Sequence, residues 1–94
     1  MPLEYQITRY TRKKAARIGV RVRLATNPQK KLDVFRHGKK IASVGAREMN
    51  DYPTYWRRRG KAYATQRRRL YKQRHESDRH RRWSRGWLAD QLLW

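Results

Sequence analysis

The chain has 94 residues, 26 Lys+Arg against 7 Asp+Glu, a formal net charge of +19 and no cysteine. That length fits one domain (1–94) with a small core, and the lack of cysteine excludes a disulfide framework and any thiolate zinc site. No apolar run approaches the roughly 20 residues of a membrane span, the first ten residues hold no signal-like apolar stretch, and no membrane partner is expected.

Residues 1–17 read as an arm. "EYQITRY" suits a short strand with Tyr5 and Ile7 on one side, and "TRKKAAR" is a basic connector, helical or flexible. "IGVRVRL" alternates cleanly: Ile18, Val20, Val22 and Leu24 on one face, Arg21 and Arg23 on the other. Period two predicts a strand. Asn27-Pro28 marks a turn. "LDVFRHGKKIASVG" predicts a hairpin, with Leu32 to Arg36 going up, a tip at His37-Gly38-Lys39, and Lys40 to Val44 coming down. Leu32 and Val34 share the aliphatic face; Phe35 joins Arg21 and Arg23 on the other.

"NDYPTYWRRRG" then begins a helix. Asn50 or Asp51 is the N-cap residue, since a short polar side chain accepts the free N–H groups of the first turn. Pro53 fits that turn at no cost, and Gly60 ends or kinks the helix. A long basic helix is expected from about Lys61 to Arg82, touching the core only along one narrow stripe, residues 63, 67, 70, 71 and 74, which holds Tyr63, Leu70 and Tyr71 and also Arg67 and Arg74. "SRGWLADQLLW" reads as a short apolar helix. Strands followed by helices predict an α+β fold: a three-stranded antiparallel sheet, a long basic helix and a short apolar C-terminal helix.

The charge points to a polyanion. Self-repulsion at +19 needs an offset, and arginine, the commoner cation here, grips phosphate with a bidentate fork. The candidate phosphate contacts are Arg57, Arg58, Arg59, Arg67, Arg68, Arg69, Lys72, Arg74, Arg79, Arg81 and Arg82. Consecutive arginines spread around a helix in steps of about 100°, which favours neutralising phosphate over reading bases. Arg21 and Arg23, beside Phe35, are the candidates for groove contact. The plainer reading of that sheet face is a helix lying over it, with Phe35 in the core.

"RHESDRH" offers His75 with Asp78 and Glu76 with His80. Two such pairs are a weak basis for a metal or for catalysis; pairing of the acids with Arg74, Arg79 or Arg82 is the simpler role. No metal, no cofactor and no enzymatic activity are expected. Trp83, Trp87, Leu88, Leu92, Leu93 and Trp94 are too apolar for an unpaired tail. They are expected to complete the core, and the alternative is that Trp87, Leu92, Leu93 and Trp94 hook a second copy or another protein.

The order of strands and helix, with "GVRVR", resembles the DNA-reading domains of plant AP2-type factors and the arm-binding domains of integrases. The stretch "DYPTY…G…YA…RR..YK.RH..DR…S.G..AD.LLW", with the hairpin before it, resembles a family of small basic proteins of large DNA viruses of eukaryotes, over about residues 18–94. Asp51, Tyr52, Pro53, Thr54, Tyr55, His75, Asp78, Arg79, Ala89, Asp90, Leu92, Leu93 and Trp94 carry that likeness. It implies a viral setting, in the virion or the infected cell's nucleus or cytoplasm. The expectation is a non-enzymatic binder of nucleic acid, double-stranded DNA first, in genome packaging. The alternatives are a minor structural protein of the virus particle and an RNA-binding or ribosome-like protein.

Overall fold

A computed structural model describes residues 5–94. The element order is α1 (Arg9–Ile18), β1 (Arg21–Leu24), β2 (Lys30–Arg36), β3 (Lys39–Ala46), α2 (Tyr52–Arg59), α3 (Lys61–Arg74) and α4 (Arg85–Leu93). The fold is α+β, with one antiparallel sheet in the order β1-β2-β3.

Of the arm expected over residues 1–17, "TRKKAAR" is helical, one of its two readings, within an α1 that begins at Arg9; the strand expected in "EYQITRY" does not form among the described residues, and residues 1–4 lie outside them. Thr8 opens α1 by accepting the Thr11 N–H at 3.1 Å. Gly19 closes it at φ 79, donating its N–H to the carbonyls of Ala15 and Ala16. A residue without Cβ takes that left-handed turn without strain. Thr11 and Ala15, one helical turn apart, face inward. The Thr11 hydroxyl donates to the Leu92 carbonyl at 2.8 Å and Tyr10 Oη donates to the Trp94 oxygen at 3.0 Å. These two bonds fix α1 to α4.

The hairpin turns at His37 (φ 53) and Gly38 (φ 78), both left-handed, which gives a two-residue turn matched to strand twist. The register pairs Arg21 with Phe35, Arg23 with Asp33, and Asp33 with Ser43, and a bulge falls between Val34 and Phe35. Leu32, Val34 and Val44 point into the core at 2% exposure or less. At the sheet's other end Arg47 closes the β1–β2 loop, donating to the carbonyls of Lys30 (2.9 Å) and Ala25 (3.3 Å).

Asp51 caps α2 by accepting the Thr54 N–H at 3.1 Å, and Pro53 lies in the first turn, as the sequence predicts. Gly60 separates α2 from α3. Tyr55 meets Tyr63 (5.5 Å between centroids) and Arg67 (5.3 Å), and Tyr52 meets Arg68 (4.0 Å). Helices in contact with that descending order run antiparallel, as a helical hairpin with Gly60 at its tip.

The helix expected to reach Arg82 stops at Arg74, and of its expected seam Tyr71 is buried whereas Leu70 is exposed, Ala64 taking the inner place. Residues 75–84 form turns, with Trp83 at φ 71, and Ser84 then caps α4 by accepting the Trp87 N–H at 3.1 Å. From Lys72 to Arg82 no apolar side chain holds a helix to the core. The turn sends α4 back over the sheet, where Leu88, Leu92 and Leu93 are buried. Gly86 packs so close to the Asp78 carbonyl that a Cβ would not fit. Trp94 stacks on Tyr71 at 4.3 Å and 10°. The apolar C-terminal stretch is therefore core. Leu92, Leu93 and Trp94 present no surface for a hook, and Trp87 is half-buried against Trp83. No helix among the described residues is long and apolar enough to cross a membrane.

Candidate nucleic-acid interface

Which cations are available depends on where the few carboxylates go. The three buried ones are all committed internally. Asp51 holds buried Lys31 at 2.9 Å while it caps α2. Asp90 holds Lys72 at 2.8 Å and Arg79 at 3.8 Å. Asp33 accepts from the Ser43 hydroxyl at 2.6 Å and the Thr26 N–H at 3.2 Å, with Lys40 at 3.3 Å. Burial alone would raise the Asp33 carboxyl, but those three donors hold it below the usual carboxylate range. On the surface, Glu76 pairs with His80 (2.9 Å) and Arg79 (2.7 Å), which together lower its pKa, His80 first. Asp78 lies 3.4 Å from His75. The simple pairing read for "RHESDRH" thus holds for Glu76 with Arg79, whereas Asp78 takes His75. Among the described residues no three His, Asp or Glu converge on one point.

The thirteen candidate cations therefore divide. Arg21, Arg23, Arg57, Arg58, Arg59, Arg69, Arg74, Arg81 and Arg82 are exposed, and none has a carboxylate partner among the described residues. Lys72 and Arg79 are bound to Asp90. Arg68 lies over the Tyr52 ring and reaches the Trp94 oxygen at 3.5 Å. Arg67 lies against Tyr55, its Nε buried. These four serve the fold first.

Arg21 and Arg23 lie on the open face of the sheet. The covering helix of the plainer reading is absent: Ile41 is 39% exposed and Phe35 lies outside the core cluster. The Arg23 guanidinium rests 5.4 Å from the Phe35 ring centre. Behind them, a groove of about 320 Å³ between α1 and β1 brings Arg12 to Arg21 and Arg23, with no carboxylate in its lining. Arg12 was not a candidate from sequence, because the basic connector hid its helix. The Thr8…Gly19 bracket around "RYTRKKAARI" was the signal that could have found it.

The other candidates do not form one rod. Arg57, Arg58 and Arg59 cluster near the tip of the helical hairpin with exposed Lys61. Arg81 and Arg82 lie in the 75–84 turn, which meets the β-hairpin where the Arg36 guanidinium stacks 3.7 Å over Trp83. Arg36 was likewise missed; its parity with Leu32 and Val34 turns it to the side where Trp83 arrives.

Comparison with protein-family models, curated proteins and solved structures finds no match to this chain.

Proposed function

We propose that the protein binds nucleic acid without enzymatic activity, chiefly through arginine–phosphate contacts, with double-stranded DNA as the favoured partner. The observation that carries this reading is the division of charge. Nine of the candidate arginines are exposed and free of carboxylates among the described residues, while every buried carboxylate is already held by internal donors. A surface so charged is offset most strongly by a dense line of phosphates. Arg21 and Arg23, on an open antiparallel sheet face, suit a groove; the triplet at Arg57, Arg58 and Arg59 suits a backbone. A role in packaging a viral genome belongs to the same proposal and rests on the sequence resemblance alone. The hook that would favour a minor virion protein is not open, since Leu92, Leu93 and Trp94 are buried; that alternative then rests on charge facing an acidic shell protein.

The test is a salt titration of binding to matched duplex DNA, single-stranded DNA and duplex RNA. For duplex DNA the expected slope of log affinity against log salt is about −5 to −7, the release of counterions from roughly 6–8 phosphates. Tighter binding to duplex RNA would transfer the reading to RNA. Weak binding of all three with a flat slope would refute it.

A further inference from the structure

The recess beside the helical hairpin joins an aromatic surface, which the phosphate contacts do not use, to two of the candidate arginines. It has a volume of about 490 Å³ and is lined by Tyr10, Tyr52, Pro53, Trp56, Arg57 and Arg68. Its walls are aromatic: Tyr10 and Tyr52 lie 5.4 Å apart, and Tyr52 meets Trp56 edge-on at 5.7 Å and 76°. Tyr52 is buried, but Trp56 is 45% exposed. Among the described residues no ring stacks flat on Trp56. Its other neighbour is the Lys61 ammonium, 5.8 Å from the ring centre, on a flexible exposed side chain. An indole held open to water by a rigid helix is a stacking surface without a partner.

The rim has the second feature. Arg57 and Arg68 border the recess and no carboxylate lines it. Arg68 is already fixed by its stack on Tyr52 and its bond to the Trp94 oxygen, so its guanidinium is held in place before any ligand arrives.

We propose that this recess takes an unstacked nucleobase against Trp56, with the flanking phosphates held by Arg57 and Arg68. This deepens the nucleic-acid reading above and rests on it. Bases within a duplex are stacked and paired, so only a single strand, a frayed end or an extruded base can supply one. Aromatic platforms between cationic groups are how proteins hold single strands without regard to sequence. Grooves lined by aromatic rings also take proline-rich peptides, but a neutral peptide offers the two guanidiniums only carbonyl acceptors and no anionic charge, where phosphates offer both.

Trp56→Ala and Trp56→Phe in the full chain test the proposal against four probes: a mixed-sequence single-stranded DNA, its RNA counterpart, a duplex DNA closed by hairpins at both ends, and a proline-rich peptide. Trp56→Ala is expected to weaken single-strand binding by about tenfold, with closed-duplex binding unchanged within about twofold and Trp56→Phe recovering most of the loss. Equal losses with the DNA and RNA strands would mean that the base alone is recognised; a loss with one only would identify that source. The proposal fails if Trp56→Ala weakens strand and closed duplex alike, if it weakens neither, or if Trp56 matters only for the peptide. Salt-dependent duplex binding by wild type in those cases would leave the wider reading intact. No binding of any nucleic acid by wild type would overturn both.

Discussion

Two arginine triplets, Arg57-Arg58-Arg59 and Arg67-Arg68-Arg69, are identical as text and differ as structure. The first ends α2 and is exposed at all three positions, with only Arg59 resting on a neighbour, the Tyr63 ring at 4.4 Å. The second lies in the middle of α3, and two of its three members are turned inward. Arg67 packs on Tyr55 and Arg68 on Tyr52. The difference follows from the helical hairpin. A triplet at the open end of a helix meets water on every side; a triplet opposite another helix gives up whichever residues the seam demands. Arginine suits such a seam because its flat, weakly hydrated head stacks on aromatic rings. Counting cations thus overstates the charge available to a ligand.

The largest effects should come from the groups that build the frame behind both triplets. Trp94→Ala removes the ring stacked on Tyr71 and should lower unfolding free energy by about 3–5 kcal/mol in a urea titration. Unchanged stability would show that the apolar C-terminal stretch is not core. Lys31→Ala leaves Asp51 buried without its cation at the start of α2, and should cost about 3–5 kcal/mol. A fall below about 1 kcal/mol would mean that the capped N–H alone satisfies Asp51.

Single substitutions sharpen the comparison itself. Arg68→Ala should cost about 1–2 kcal/mol by removing the stack on Tyr52, whereas Arg58→Ala should stay within about 0.5 kcal/mol. Equal costs would erase the distinction between inner and outer arginines.

A pH dependence tests the frame in a different way. Burial, with Asp51 adding to it, pushes the Tyr5 hydroxyl up to about 12, and burial with Asp90 and then Asp78 does the same for Tyr71. Both phenols must stay neutral in the fold while they ionise near 10 in the unfolded chain. Their contribution is intact below about pH 10 and is lost as pH rises toward 12. Melting temperature should therefore fall over that window, and Tyr71→Phe should flatten the fall. A flat profile in wild type would contradict the burial of these hydroxyls.

Much of the frame was legible in the residues. Alternation from Ile18 to Leu24 and the His37-Gly38 tip mark the sheet, although Ile18 ends α1 and β1 starts only at Arg21, and Asp51 with Pro53 marks the start of α2. Two features were hidden by competing signals. The alternation of Tyr5 and Ile7 suggested a strand, although Thr8 and Gly19 bracket a helix. Nothing between Lys61 and Trp83 breaks a helix by propensity, so the stop at Arg74 is set by tertiary demand, because α4 must return to bury Leu88 and Leu92. The interface was half legible for the same reason. Composition predicts that arginines face outward. The stripe 63, 67, 70, 71, 74 puts Arg67 at the seam, where it is, and Arg74 too, which is exposed; that Arg68 also turns inward depends on the hairpin partner. Trp56 as an open surface was equally hidden, since an aromatic residue in an amphipathic helix reads as core.

The most direct test of the central claim compares two triple variants, Arg57→Gln/Arg58→Gln/Arg59→Gln and Arg67→Gln/Arg68→Gln/Arg69→Gln, by the salt dependence of duplex DNA binding and by thermal melting. Each phosphate that is no longer neutralised should make the slope shallower by about 0.9. The first variant should release close to three phosphates and melt like wild type. The second should release about one, that held by Arg69, and melt lower. A slope shallower by about three phosphates in the second variant, at unchanged melting, would contradict the division of cations between fold and ligand.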